Sequence, residues 1–197
     1  MNNWVGTVSG EKVDLLNPNL GSINIVDIAT GLAKVSRFSG QIDRPYSVAE
    51  HSICVAKTVY EKTEDPVIAL QGLLHDASEA YMGDTPKPVK NLVQPLWGDI
   101  ETAIMNAVYY KWDIPRQMNY AVREADARWC LTEKLQLQPN GPSWDNTPWA
   151  TVEPYSDTLH PAPSTGAVLL RFLLAFDLYT SLRRDVAERS GLERSAR

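Results

Sequence analysis

Cysteine and histidine are scarce in this chain of 197 residues, which has 2 cysteines and 3 histidines. Cys54 and Cys130 stand alone in the sequence and form no CxxC pair, which excludes a zinc knuckle, a redox motif and a disulfide framework. Reduced, buried cysteines are typical of the cytosol. The first residues, Met1 to Trp4, lack a basic patch followed by an apolar run, so no secretory signal is expected.

Long hydrophobic runs and excess positive charge are also missing. The longest apolar run, Ala167 to Leu178, is interrupted by Arg171 and Asp177, so we expect no membrane span. A net charge of −5 disfavours a protein that coats nucleic acid, although a local group of cations can still bind phosphate. A hydrophobic content of 44% predicts one globular domain over residues 1–197.

Apolar residues recur at helical spacing through most of the chain, which predicts an all-α fold. The alternation around Ser9-Gly10 adds a short hairpin within residues 4 to 16. Residues 136 to 165 contain six prolines, Trp144 and Trp149 but no sustained period. Such a segment is expected to be a lid, an oligomer contact or disordered, and its tryptophans argue against disorder. Helices are expected over residues 25 to 35, 65 to 82, 96 to 112 and 164 to 188, and two more are expected to start at Ser47 and continue past Val59, and to start after Pro115 and include Arg123 to Trp129.

Two histidines lie where helices would place core residues. His51 shares a helical stripe with Val55, after an N-terminal capping box that starts at Ser47. His75-Asp76 follows two leucines on the next predicted helix, and Glu79 lies one turn further. Buried polar groups cost several kcal/mol, about 2–7, unless they are paired or coordinated. A hydrogen-bonded core histidine and a solvated polar edge are the alternatives to a metal site.

Asp126 is a fourth candidate, since it lies between alanines in phase with Val122 and Trp129 and is expected to face inward. Arg123 lies on the same side, so a buried Asp–Arg pair is the alternative explanation. Two imidazoles and two carboxylates form a ligand set that suits one divalent ion of Mn, Co, Zn, Fe or Mg. Positions left open on such an ion suit water and a phosphoryl oxygen, which is typical of a catalytic site. The predicted metal ligands are His51, His75, Asp76 and Asp126.

Charged residues around these positions suit a phosphate ester. Arg37 beside Phe38, at the end of a predicted helix, can hold a phosphate and stack a flat group, although this pair by itself favours a surface arginine and a core phenylalanine over ligand binding. The proline-rich loop after Gly83 is expected to hold its charged residues in place. The predicted substrate-binding residues are Arg37, Phe38, Lys87, Lys90 and Arg123, and the candidates for proton transfer are Glu79 and Asp84.

The order of His51, His75-Asp76 and Asp126 resembles the ligand pattern of the HD-domain metal-dependent phosphohydrolases, whose fold is an all-helical bundle. A narrower resemblance, over residues 25 to 129, is to the bacterial 5'-deoxyribonucleotidases and the phage dATP triphosphohydrolases. It is carried by Arg37-Phe38, Ala49-Glu50-His51-Ser52, His75-Asp76-Ala77-Ser78-Glu79 and Gly83-Asp84-Thr85-Pro86-Lys87-Pro88-Val89-Lys90.

This resemblance implies roles for single residues. It implies that Arg37 binds phosphate, that Phe38 packs against the sugar and disfavours a 2'-hydroxyl, and that Glu79 aids proton transfer. The nucleotidases carry tryptophan at the position of Phe38. Arg123, beside a metal ligand, resembles a basic position of the phage enzymes.

The resemblance also implies hydrolysis of a deoxynucleotide at its α-phosphorus. The predicted cations exceed what one phosphate requires, so dATP, cleaved to deoxyadenosine and triphosphate, is the expected substrate. A 5'-deoxyribonucleotidase acting on dNMPs is the first alternative, and a non-catalytic nucleotide-binding protein is the second. The expected setting is a homo-oligomer, a dimer or hexamer, in the cytosol of a bacterium or of a phage-infected host. We expect no nucleic-acid polymer and no membrane as partner.

Overall fold

Capping side chains begin the helices that carry the predicted site. The computed structural model of the chain describes residues 2–145, 147–160 and 164–195. Asn24 accepts a hydrogen bond from the Val26 N–H, and Asn119 accepts one from the Ala121 N–H, at 2.8 Å each. Ser47 forms the expected capping box with Glu50. The elements are β1 (Trp4–Gly6), β2 (Lys12–Asp14), α1 (Ile25–Lys34), α2 (Val48–Thr63), α3 (Pro66–Leu74), α4 (Glu79–Met82), α5 (Lys87–Leu92), α6 (Leu96–Lys111), α7 (Tyr120–Leu137) and α8 (Thr165–Ser195).

The prediction of an all-α fold with an N-terminal hairpin is confirmed. Strands β1 and β2 pair antiparallel, with Val5 opposite Val13. Short 3₁₀ turns lie at Leu20–Ser22, Arg37–Gly40 and Pro148–Thr151. Both cysteines are free, and burial raises the pKa of each thiol to about 12.

Two corrections concern the segment that follows α3. The predicted helix over residues 65 to 82 is interrupted, because α3 ends at Leu74 and the chain then tightens to hydrogen bonds three residues apart. Examples are the bonds from the Ala77 N–H to the Leu74 carbonyl and from the Glu79 N–H to the Asp76 carbonyl, both 3.0 Å. The predicted loop of residues 83 to 90 in turn contains the start of α5, where prolines are tolerated in the first turn.

Helix α2 lies between two hydrophobic clusters. Ala56 packs in one cluster with Phe172 of α8, whereas Val55 packs in the other with Trp129 of α7. His51 lies one turn before Val55 and is fully buried. The clusters therefore hold α3, α7 and α8 around α2, and they place His51 where residues of α3 and α7 can meet it.

A close approach of helices α1 and α4 sets the position of Glu79. A Cβ on Gly31 would lie 2.8 Å from the backbone carbonyl oxygen of Ala80, a distance that would force the backbone apart. Glycine at this position therefore lets α4 pack directly on α1, and Glu79, the first residue of α4, is 5% exposed.

The segment between α7 and α8 is attached to α7 where the structure describes it. The Tyr155 N–H donates to the Thr132 hydroxyl at 2.8 Å, and the Leu159 N–H donates to the Gln136 side chain at 2.9 Å. The ring of Trp144 lies 6.1 Å from that of Phe38. Residues 146 and 161–163 of the predicted lid or oligomer contact lie outside the described residues.

Helix α8 extends further than expected. By length and composition alone, Thr165–Glu188 is long and apolar enough to cross a membrane, with a mean hydropathy of 1.3. The charges Arg171 and Asp177 do not exclude this, contrary to our expectation. One such helix among the described residues is weak evidence for a span, because core helices of soluble proteins meet the same criterion.

Candidate metal centre

The four predicted metal ligands lie together. His51 Nε2 is 3.1 Å from Asp126 Oδ1, and His75 Nε2 is 3.8 Å from the same oxygen. Asp76 Oδ2 lies 3.2 Å from His75 Nε2 and 4.0 Å from His51 Nε2. Ligand atoms of His51, His75 and Asp126 all lie within 4.8 Å of one another, so this group could hold a metal ion.

The remaining nitrogen of each imidazole donates to a group that can only accept. His51 Nδ1 lies 2.7 Å from Glu133 Oε1, and His75 Nδ1 lies 2.8 Å from the Gly72 carbonyl oxygen. In the neutral rings, both Nε2 lone pairs then point into the cluster, as metal ligation requires. His75 Nε2 is buried and makes no hydrogen bond to any described residue, despite its nearness to Asp76. A bound cation would satisfy this nitrogen, so the residues fit a metal ion.

The carboxylates keep the cluster negatively charged. Burial alone would raise the pKa of Asp76, but the neighbouring His75 outweighs it and lowers that pKa to about 2. Burial likewise opposes ionisation of Asp126, whereas His51, 3.1 Å from its Oδ1, and the nearby His75 bring its pKa well below the usual value. Two ionised carboxylates beside two imidazoles favour a divalent cation.

Asp126 lies at the mouth of the cluster rather than in the core. We predicted an inward-facing residue, but 39% of its side chain is exposed. The difference arises because Ala125 and Trp129 occupy the buried face of α7, and Asp126 lies at the edge of that face. The exposed edge leaves the cluster accessible from solvent.

Sequence reasoning missed Glu133, which is fully buried beneath the cluster. Its Oε1 accepts from His51, while its Oε2 accepts from Arg37 Nε at 3.1 Å and lies 3.0 Å from Arg37 Nη2. Burial opposes its ionisation, but the charges of His51 and Arg37 lower its pKa. The available signal was its spacing of two helical turns from Asp126, which places both on one face of α7.

Arg37 is buried at 8% exposure, with Glu133 along one edge of its guanidinium. Its Nη1 lies 3.8 Å from Asp76 Oδ2, so this atom faces the cluster. The neighbouring residue Phe38 has φ 54° and ψ 31°, a left-handed conformation that is unusual for a bulky residue. The Arg37 guanidinium carbon lies 5.5 Å from the centre of the Phe38 ring.

Glu79 is a buried carboxyl near the cluster. Burial and the negative charges of Asp76 and Asp84 raise its pKa well above the ordinary value. Glu79 Oε1 lies 3.3 Å from Lys90 Nζ, and the same Nζ lies 3.0 Å from Glu101. Glu79 Oε2 has no hydrogen bond among the described residues. Burial also raises the pKa of Asp84. The raised pKa favours the protonated form of Glu79, which is the form that can donate a proton.

The other two predicted cations lie on the surface. Lys87 and Arg123 are exposed, and neither makes an ion pair with a residue that the structure describes. Arg123 is on α7 one turn before Asp126, and Lys87 is the first residue of α5. Their predicted contact with substrate stays a prediction, as do the assigned roles of the other site residues.

Curated proteins from two bacteria are similar to this chain. The uncharacterized protein YfdR of Escherichia coli (strain K12) is 29% identical over 184 residues, which cover 92% of this chain and 98% of the relative. The uncharacterized protein RCAP_rcc00048 of Rhodobacter capsulatus is 36% identical over 128 residues, which cover 62% of this chain and 64% of the relative. No protein-family model matches the chain. The relatives' names state no activity.

Proposed function

We propose that this protein is a metal-dependent phosphohydrolase that hydrolyses a deoxynucleotide at its α-phosphorus. One observation carries the proposal. The Nε2 atoms of His51 and His75 converge with Asp126 Oδ1, while acceptors behind both rings hold the lone pairs inward. The resemblance of the same residues to the HD-domain phosphohydrolases supports this proposal.

The ligand set would be His51, His75, Asp76 and Asp126. When bound, a divalent ion supplies Lewis-acid polarisation of the phosphoryl group and lowers the pKa of a water molecule. The protein's own contribution is to hold both imidazoles in one tautomer, through Glu133 and the Gly72 carbonyl. Mixed nitrogen and oxygen ligands suit Mn, Fe, Co or Zn better than Mg.

Glu79 would act as the general acid. The raised pKa of its carboxyl favours the protonated form, and transfer of that proton to the departing 5'-oxygen of the nucleoside lowers the barrier to P–O cleavage. Lys90 binds one carboxyl oxygen, which leaves Oε2 free to point at substrate. Asp84 is the second candidate for proton transfer.

The substrate we propose is a deoxynucleoside triphosphate, with dATP first. Lys87 and Arg123 are exposed and unpaired among the described residues, so they remain available for the β- and γ-phosphates. The alternative is a 5'-deoxyribonucleotidase acting on dNMPs. One observation favours this alternative. Arg37 is already paired with Glu133, and Lys90 is paired with Glu79 and Glu101, so little positive charge near the cluster remains for more than one phosphate.

Product identification separates these activities. The protein is loaded with Mn²⁺ or Co²⁺ and incubated with each deoxy- and ribonucleotide as mono- and triphosphate, and phosphate species are resolved by ion chromatography. Triphosphate and deoxyadenosine from dATP support the proposal, whereas orthophosphate from dAMP supports the alternative.

Asp126→Asn should abolish either activity, and Glu124→Gln on the same helix should not. Absence of product from every nucleotide, with metal bound, would contradict catalysis and favour a nucleotide-binding protein.

A further inference from the structure

Three aromatic rings follow one another from Arg37 away from the metal cluster. The Arg37 guanidinium, whose Nη1 faces the cluster, lies 5.5 Å from the centre of the Phe38 ring. The Phe38 ring lies 6.1 Å from that of Trp144, and the Trp144 ring lies 5.2 Å from that of Trp149. All three rings are half-buried, so part of each still reaches solvent. We call Phe38, Trp144 and Trp149 the ring wall.

An unfavourable backbone conformation orients the start of the wall. Phe38 and Ser39 have φ 54° and 53°, so two consecutive residues other than glycine are left-handed. Such conformations persist only where surrounding contacts enforce them, and they concentrate at functional sites. In this conformation the Arg37 guanidinium faces the metal cluster while the ring of the next residue faces Trp144.

The order of these groups matches the order of the parts of a nucleotide. In the proposed function Arg37 binds phosphate and Phe38 packs against the sugar, and Trp144 is the next ring along the wall. Every base has a π face that can stack on an aromatic side chain. Trp144 and Trp149 lie outside residues 25 to 129, which carry the resemblance, so the resemblance assigns them no role.

A buried cation without a partner lies on the neighbouring helix α7. Lys134 is 5% exposed, and its ammonium makes no hydrogen bond or ion pair with a residue that the structure describes. The turn Pro148–Thr151, which carries Trp149, packs against α7. A buried ammonium without a partner is unfavourable, and an acceptor atom on a ligand would satisfy it.

The residues one turn before and after Lys134 show which segment this side of α7 faces. Burial raises the pKa of the Cys130 thiol, and the positive charge of the nearby Arg37 opposes that rise. The Gln138 side chain donates to the backbone carbonyl of Gln41. Because residues four apart on a helix share one side, Lys134 faces the segment that begins the ring wall.

We propose that the ring wall forms a nucleobase subsite beside the metal centre, where the base stacks on Trp144 and Lys134 donates to an acceptor atom of the base. This inference rests on the proposed function, because it takes Arg37 to bind the phosphate. Trp144 and Lys134 contact the base alone, so they contribute to substrate affinity rather than to the chemistry at phosphorus. The segment of residues 136 to 165 thereby contributes directly to the substrate site.

Calorimetric titration of the full chain with deoxyadenosine tests the subsite. Trp144→Ala should weaken binding of deoxyadenosine about 5- to 150-fold, the range that corresponds to one base–aromatic stack. Trp144→Phe keeps an aromatic ring and should retain most of the affinity. Trp4→Ala is the control, because Trp4 is a 41% exposed tryptophan on β1, and it should bind deoxyadenosine as the wild type does.

Lys134→Met tests the donor separately, because methionine keeps an apolar side chain and removes the ammonium. It should weaken binding of deoxyadenosine about 10-fold or more, since a hydrogen bond from a charged donor is lost. It should melt no lower than the wild type, because no partner among the described residues is lost. A lower Tm with unchanged affinity for deoxyadenosine would give Lys134 a structural role and overturn its assignment.

Deoxyadenosine has no phosphate, so its binding does not depend on hydrolysis. A protein that hydrolyses no nucleotide, but loses deoxyadenosine binding in Trp144→Ala, would retain the subsite and refute the phosphohydrolase. Hydrolysis of a deoxynucleotide with the same KM in wild type and Trp144→Ala would retain the phosphohydrolase and overturn the subsite. Absence of deoxyadenosine binding at millimolar concentration, or equal losses in Trp144→Ala and Trp4→Ala, would also overturn it.

Discussion

Replacement of Glu133 should weaken metal binding although Glu133 is not itself a predicted ligand. Its carboxylate accepts from His51 Nδ1 at 2.7 Å and from Arg37 Nε at 3.1 Å. A glutamine side chain has only one acceptor oxygen, so it can accept from only one of these two donors. Its NH2 group then faces the other N–H, and that hydrogen bond is lost. If the amide faces His51, the ring proton moves to Nε2, the atom that metal needs.

The magnitude follows from the role of such supporting contacts. Loss of a hydrogen-bond partner behind a metal ligand costs about 10–100-fold in metal affinity, or about 1.4–2.7 kcal/mol. Glu133→Ala should do more, because it leaves the buried Arg37 without its partner, at a cost of about 3–5 kcal/mol. At about 2–4 °C per kcal/mol for a chain of this length, Tm should fall by about 10 °C.

Isothermal titration with Mn²⁺ measures the affinity of the Glu133→Gln protein, and thermal melts of the metal-free protein measure the stability of Glu133→Ala. Glu124→Gln is the control on the same helix, because the exposed Lys62 partner of Glu124 contributes about 0–1 kcal/mol. Wild-type metal affinity in Glu133→Gln, together with a wild-type Tm in Glu133→Ala, would refute the role assigned to Glu133.

Three further substitutions test separate features. Glu79→Gln should lower kcat by about 100-fold or more, measured by product release. Burial, Asp76 and Asp84 raise the pKa of Glu79 in the folded state, so the stability of the wild type should fall as pH rises from the unfolded-state pKa of Glu79 through its folded-state pKa. The variant should lose this pH dependence and should melt at a higher temperature than the wild type at pH 8. Ser39 has φ 53°, a left-handed conformation that glycine adopts more easily than other residues. Ser39→Gly should therefore raise the free energy of unfolding, measured in urea, by about 1 kcal/mol, and Ser39→Ala should not raise it. Asp126→Asn should remove the metal-induced rise in Tm, which at 100 times Kd corresponds to about 2.7 kcal/mol in the wild type; an unchanged rise would exclude Asp126 as a ligand.

Local features of the fold were predictable because they depend on neighbours in the chain. The capping box at Ser47 and the Asp65-Pro66 start of α3 act within one helical turn, and the structure has both. The interruption at Leu74 was not predictable in this way. Apolar spacing is similar for an α-helix and for a short 3₁₀ stretch, and tertiary packing decides between them.

Residue types and their phase along helices were sufficient to choose His51, His75, Asp76 and Asp126, since each lies at or beside a core-facing position. Their distances, the burial of Glu133 beneath His51 and the pKa of Glu79 depend on how α2, α3 and α7 pack together. Such contacts join residues up to 96 positions apart, as between Arg37 and Glu133, and no local pattern encodes them. Helical phase specifies which way a side chain points, whereas only packing between helices specifies what it meets.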